Sequence, residues 1–275
     1  MIYSDWHIHS EHSYDSKLAV DTIISEATRL GLRRFGITDH VNYNEPTYLE
    51  AVRNCAAHVN ELRRSHPEMI LGVELTPIPK PEYEYLKKHG SRDGYIPPAC
   101  YPLEIEVAMT KEELVSLGVR YAISATHWRV DVSDRGAPGD MDTIIKEWYR
   151  QQMWIATDER TTVLGHPWYH GRGLWYEDFS VIPHSMHRDI GAALLENGKY
   201  IECNSDVLCA HGASDRFHRQ YAEFLREMFE MGVPVTYGSD CHNRYLDKRD
   251  MVGELLAYAG FVDGDISEIS ENKLW

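Results

Sequence analysis

Short apolar runs, most of them closed by a polar residue, recur along almost the whole chain. Ile2–Ile8, Arg34–Thr38, Ile70–Glu74, Tyr121–Ala125, Thr162–Gly165, Tyr200–Asn204 and Val235–Gly238 each read as a β-strand. Between them the pattern shifts to the helical period, over roughly Val20–Leu30, Tyr48–Ser65, Lys111–Leu117, Met141–Asp158, Met186–Asn197, Arg216–Met231 and Lys248–Ala259. In Tyr221–Met231, for example, Phe224, Leu225, Met228 and Phe229 share one helical face. Gly31, Gly118, Gly198 and Gly232 each fall just past a helical stretch and before a strand. A glycine placed there can adopt the left-handed conformation that stops a helix.

Strands alternating with helices imply parallel strands joined by right-handed crossovers. An open doubly wound sheet and a closed barrel both satisfy that rule. The polar residues favour the barrel, because nearly every strand candidate ends in His, Asp, Glu or Asn. Barrel strands converge on one C-terminal mouth, whereas a doubly wound sheet gathers its ligands at one switch point. The expectation is therefore a single α/β domain over residues 1–275, a seven-stranded (β/α)7 TIM-like barrel. One segment, Thr76–Leu103, breaks the rhythm with six prolines and a run of tyrosines. Following the third strand, it is either a surface insertion or a lid over the mouth.

The strand ends carry the chemistry. The first strand runs into His7-Ile8-His9, with Asp15 shortly after, and alternation lets both imidazoles face one side. The later strands end at His40, Glu74, His127 and His166, and the last runs into Asp240-Cys241-His242. Alternation turns Cys241 towards the core. Imidazole and carboxylate together suit Zn²⁺, Mn²⁺ or Fe²⁺ better than Ca²⁺ or Mg²⁺. A catalytic metal takes about three protein ligands plus water, so these nine residues suffice for two to three divalent ions. Any one of these histidines could be an ordinary core or surface residue; the set, at the ends of successive strands, points to metal.

Composition narrows the setting. Lys+Arg 28 against Asp+Glu 43 gives a net charge of −15, which disfavours nucleic acid and anionic membrane as partners. The 15 His are the unusual count. Five cysteines without a C-x-x-C pair argue against a disulfide framework and for a reducing cytoplasm. No signal-peptide pattern and no long apolar run is present, so the expected location is cytoplasmic.

His7-Ile8-His9-Ser10 with Ser13–Ser16, then Thr38-Asp39-His40, Gly72-Val73-Glu74, Ser124–His127, Gly165-His166-Pro167 and Gly238–His242 resemble the ordered motifs of the PHP (polymerase and histidinol phosphatase) superfamily. The resemblance implies a distorted PHP-type barrel with a trinuclear metal site. In that scheme His7, His9, Glu74 and Asp240 hold one ion, and His127 and His166 hold a second that Glu74 bridges. Asp15, His40 and His242 hold the third. Within the superfamily the chain looks most like stand-alone histidinol-phosphate phosphatases. Those enzymes tend to read Glu-x-Asn-Thr-Ser followed closely by an Arg for the phosphate, whereas Glu202–Val207 offers Asp206, an acid that should repel it.

The functional expectation is a phosphomonoesterase that attacks a small phosphorylated metabolite with metal-activated hydroxide, Asp240 or His242 supplying the leaving-group proton. Arg129, Arg172 and Asn204 are the candidate substrate contacts. For His12, His170, His211 and His218 a solvated loop position is expected. Two rivals stand beside this reading. One is an amidohydrolase-type C–N or ester hydrolase, although no strand candidate ends in the lysine such sites commonly carry. The other is a non-catalytic PHP module, although such modules lose ligands and all nine positions are filled here. The oligomeric state is open.

Overall fold

The computed structural model describes residues 2–42, 48–96, 98, 102–127, 140–171 and 173–275. Its strands in chain order are β1 (Ser4–Ile8), β2 (Arg34–Ile37), β3 (His40–Val41), β4 (Met69–Leu75), β5 (Ile78–Pro79), β6 (Ile105–Glu106), β7 (Tyr121–Ala125), β8 (Val163–Gly165), β9 (Tyr200–Asn204) and β10 (Val235–Gly238). The helices are α1 (Val20–Arg29), α2 (Tyr48–Leu62), α3 (Lys80–His89), α4 (Lys111–Ser116), α5 (Met141–Thr157), α6 (His184–Glu196), α7 (Ser205–Leu208), α8 (Asp215–Glu230) and α9 (Arg249–Tyr258).

The main sheet runs β1-β2-β4-β7-β8-β9-β10, and every pairing along it is parallel. It curls until its first and last strands meet. There Ile8 and Cys241 form a parallel bridge, the His9 amide donates to the Cys241 carbonyl (3.0 Å), and the Asp240 amide donates to the His7 carbonyl (2.7 Å). The result is a nearly closed barrel of seven parallel strands with helices outside, as the strand ends implied. Beside this path, β3 pairs with β4 in a register that sets His40 opposite Glu74.

Helices α1, α4, α6 and α8 end where the glycines fall. Gly31, Gly118, Gly198 and Gly232 all have positive φ, between 61° and 94°. Apolar faces of the helices pack on the barrel wall, as in α8, where Phe217, Tyr221, Phe224, Leu225 and Met228 are buried. Trp6, Ile70, Tyr121, Ile123, Val163, Tyr200, Ile269 and Leu274 form a separate cluster. The chain after α9 is tied on there, with the Trp275 amide donating to the Arg120 carbonyl and the Ser267 amide to the Val235 carbonyl. Both acceptors lie at the N-terminal ends of strands, so this segment sits at the end of the barrel opposite the mouth.

The Thr76–Leu103 segment is less irregular than its prolines suggested. It contains β5, which pairs antiparallel with β6, and the ten-residue α3. Arg150 of α5 donates to the Leu103 carbonyl, and Arg160 pairs with Glu106 (2.7 Å), so this region is anchored beside α5. No helix among the described residues is long and apolar enough to cross a membrane.

Candidate metal centre at the barrel mouth

All nine predicted ligands are described, and they meet at the C-terminal ends of the strands. His7 lies in β1 and His9 just beyond it; His40 lies in β3 and Glu74 in β4. His127, His166, Asp240 and His242 follow β7, β8 and β10, and Asp15 reaches in from the loop after β1. The chain turns sharply where it leaves two of these strands. His166 and Asp240 have φ of 21° and 56°, a left-handed conformation costly for side-chain-bearing residues and concentrated at functional sites.

Glu74 is the hub, and its two oxygens face different partners. Oε1 lies 3.0 Å from His166 Nε2 and 3.3 Å from His127 Nε2. Oε2 lies 2.8 Å from His40 Nδ1, 3.4 Å from His9 Nε2 and 3.5 Å from His7 Nε2. Asp240 Oδ1 lies 3.2 Å from His9 Nε2 and 3.6 Å from His7 Nε2. Asp15 Oδ2 lies 3.1 Å from His40 Nε2 and 3.4 Å from His242 Nε2. Potential ligand atoms fall within 4.8 Å of one another in three overlapping groups: His7, His9 and Asp240; His40, Glu74 and His127; and His9, Asp15, His40 and His242. His9 thus reaches towards two neighbourhoods, one more than its assignment to a single ion supposed.

Several observations fit this donor set to cations. His40 Nδ1 and Glu74 Oε2 face each other at 2.8 Å, and the buried Nδ1 atoms of His9 and His166 have no hydrogen-bond partner among the described residues. Buried polar atoms left unmet cost about 1–3 kcal/mol each. His7 and His9 point Nε2 at Nε2 across 3.1 Å. Among the described residues no Lys or Arg pairs with Asp15, Glu74 or Asp240. Burial opposes every charge here, but His40, His127 and His7 hold the Glu74 carboxyl well below the usual carboxylate range. His40 is lifted to about 10 against its burial, chiefly by Glu74 and Asp15, while burial and His40 push His9 down to about 3. Protons held this way are the ones a divalent ion displaces.

Three buried acids not proposed as ligands support the cluster. Glu202 Oε1 accepts from His7 Nδ1 (2.7 Å), and its Oε2 accepts from the His166 amide (2.5 Å). A carboxylate behind an imidazole in this way fixes ring and tautomer and leaves Nε2 free for a metal. Asp5 accepts from the amides of His7 and Ser239, and Asp39 accepts from both the amide and hydroxyl of Ser10. Spacing held a signal for two of them: Asp5 precedes His7 by two, and Glu202 precedes Asn204 by two, so each shares its strand's inward face.

Other expectations meet mixed outcomes. Asn204 is fully buried; its Oδ1 caps α7 and its Nδ2 donates to Asp240 Oδ2 (3.2 Å), so it positions a mouth residue. His170 does not sit in solvent: it is buried between Trp148 and Trp175, at ring separations of 4.8 and 5.2 Å. Asp206 is paired with Lys248, so the acid that stands where an Arg was expected brings a cation with it. Cys241 belongs to the core. Arg129 and Arg172 lie outside the described residues.

The fold and its mouth define a β/α-barrel protein with imidazoles and carboxylates gathered where such barrels do their chemistry. The chain belongs to the PHP domain family, whose model matches residues 5–206. A 39-residue stretch is 51% identical to a probable histidinol-phosphatase of Thermotoga maritima; this covers 14% of the chain and 17% of that relative's length. The fold is that of the histidinol phosphate phosphatase of Lactococcus lactis, solved with zinc, L-histidinol and phosphate. That likeness has a TM-score of 0.64 at 17% identity and covers 99% of this chain and 98% of the other.

Proposed function

We propose that the protein is a metal-dependent phosphomonoesterase acting on a small phosphorylated metabolite. The observation that carries this reading is the gathering of six imidazoles and three carboxylates at the mouth of a PHP-family barrel, where Glu74 alone faces His7, His9, His40, His127 and His166. Support for the substrate class comes from the Lactococcus enzyme, which was solved with phosphate and L-histidinol.

His7, His9, Glu74 and Asp240 would hold one ion, Glu74 with His127 and His166 a second, and Asp15, His40 and His242 a third. Divalent ions bound there supply an acidified water and neutralise phosphoryl oxygens. The chain's own residues do the positioning. Glu202 holds His7 by Nδ1, and Thr76 Oγ1 meets His127 Nδ1 (3.0 Å), so both rings present Nε2 to the mouth. Asn204 steadies Asp240 through Oδ2. His242 is tied by Nδ1 to the Asp240 carbonyl (2.9 Å), and its ring is 27% exposed, more open than the other imidazoles at the mouth. With His242 Nε2 committed to an ion, an Asp240 oxygen is the group placed to pass a proton to the departing alkoxide of a substrate entering there.

The test pairs metal analysis with a substrate panel. Protein expressed in metal-supplemented medium is expected to carry roughly two to three equivalents of Zn, Mn or Fe. It should hydrolyse phosphomonoesters in preference to amides and lactones, and lose that activity on chelation. Less than about one equivalent together with chelator-insensitive activity would sink the metal centre; faster amide turnover would transfer the protein to C–N hydrolysis.

A further inference from the structure

A second cluster of ligand-type side chains lies away from the mouth, where α6 and α8 pack together. A pocket of about 140 Å³ opens between them, lined by Phe179, His184, His187, Phe224 and Glu227 among others. His184 and His187 stand three residues apart on α6 and so share a face. Glu227 reaches across from α8. Its Oε2 lies 3.4 Å from His184 Nδ1 and 3.9 Å from His187 Nδ1, and ligand atoms of all three residues fall within 4.8 Å of one another. Tetrahedral zinc, with bonds of about 2.0–2.1 Å, spaces its donors about 3.4 Å apart.

His187 is the residue that asks for an explanation. It is 2% exposed, stacked on Phe179 (5.3 Å between centroids, 20° between planes) and set against Phe224 (4.6 Å). Neither of its ring nitrogens has a hydrogen-bond partner among the described residues. An imidazole whose only role was packing would have both nitrogens desolvated without return. A hydrogen bond to Glu227 does not account for it either, because His187 Nδ1 lies 3.9 Å from Oε2, beyond hydrogen-bond range.

We propose that His184, His187 and Glu227 form a site for one divalent transition-metal ion of the zinc type, which ties α6 to α8. Two imidazoles and a carboxylate, with water in the fourth position, make a complete tetrahedral set. None of the nine mouth residues takes part, so this site stands whatever the barrel mouth proves to do.

The experiment counts zinc in the full-length protein. Wild type, H184A, E227Q and H187F are equilibrated with zinc, passed through a desalting column and analysed for metal. His184 is largely exposed, so its truncation leaves the core intact, and H187F keeps the aromatic packing. Each variant is expected to hold one zinc equivalent fewer than wild type and to lose part of the zinc-dependent rise in Tm, with turnover of any phosphomonoester unchanged. Cobalt substitution should show a tetrahedral visible band whose intensity drops in the variants. Equal zinc in all four proteins would overturn the site. So would a loss confined to H187F, since a three-ligand site must also respond at His184 and Glu227.

Discussion

At the scale of single residues, Glu74 differs in kind from the imidazoles around it: a carboxylate can offer one oxygen to each of two partners, an imidazole only one nitrogen. Glu74→Gln keeps the shape and removes the charge. It is expected to lower kcat by about 10²–10³ and to release bound metal, while H211A, at an exposed loop position, changes neither. Steady-state kinetics and metal content of both variants in one buffer check this. Glu202 acts one step further out. Glu202→Gln should weaken metal affinity about 10–100-fold, because the ring of His7 loses the charge that raises its basicity; a competition titration with a metal indicator reads it. The sequence named the nine mouth residues through their place at strand ends, but not Glu202, which was read only as part of a phosphate motif. Spacing tells which residues share a strand's face, not which neighbouring strand brings a partner to the same layer. The same blindness applied to His170: position after Pro167 suggested solvent, while Trp148, brought in by α5, buries it.

Elements were easier to read than contacts. The seven strand candidates and the stopping glycines follow from alternation and helix-end chemistry, both of which are local. Missing were α3, α7, the β5–β6 pair and β3, which holds His40 in a strand of its own where the sequence put it at the end of the second strand. Within α3 only Glu82 and Leu86 are buried, so it has almost no apolar period to detect. The four residues of α7 owe their start to an Asn204 cap, too short a stretch for periodicity. Strand β10 carries a sharper constraint. A Cβ on Gly238 would lie 1.9 Å from Glu202 Oε1 and 2.6 Å from His7 Cβ, so the strand must be bare there for Glu202 to reach its histidine. Gly238→Ala is expected to lower Tm and metal affinity together. Gly253, inside α9, provides the contrast, because a methyl group there would meet nothing within 4 Å. Gly253→Ala should stabilise by about 0.5–1 kcal/mol through helix propensity alone. Thermal denaturation of the two variants separates the outcomes.

For the molecule as a whole, pattern alone left open sheet and barrel undecided, and the polar strand ends chose between them. The packing of the chain after α9 against the far end of the barrel was not legible, because its contacts to Arg120 and Val235 join positions far apart in sequence. Closure itself has a consequence for how the protein breathes. The seam between first and last strands is held by the backbone amides of His9 and Asp240, and these same residues contribute side chains to the cluster. Whatever grips those side chains also fastens the seam, like a clasp sewn onto the edges it joins. Amide exchange should therefore report occupancy: after chelation, the His9 and Asp240 amides are expected to exchange at least about tenfold faster, while those between β7 and β8 barely change. Equal protection at the seam with and without metal would mean that the barrel stays shut by its backbone alone.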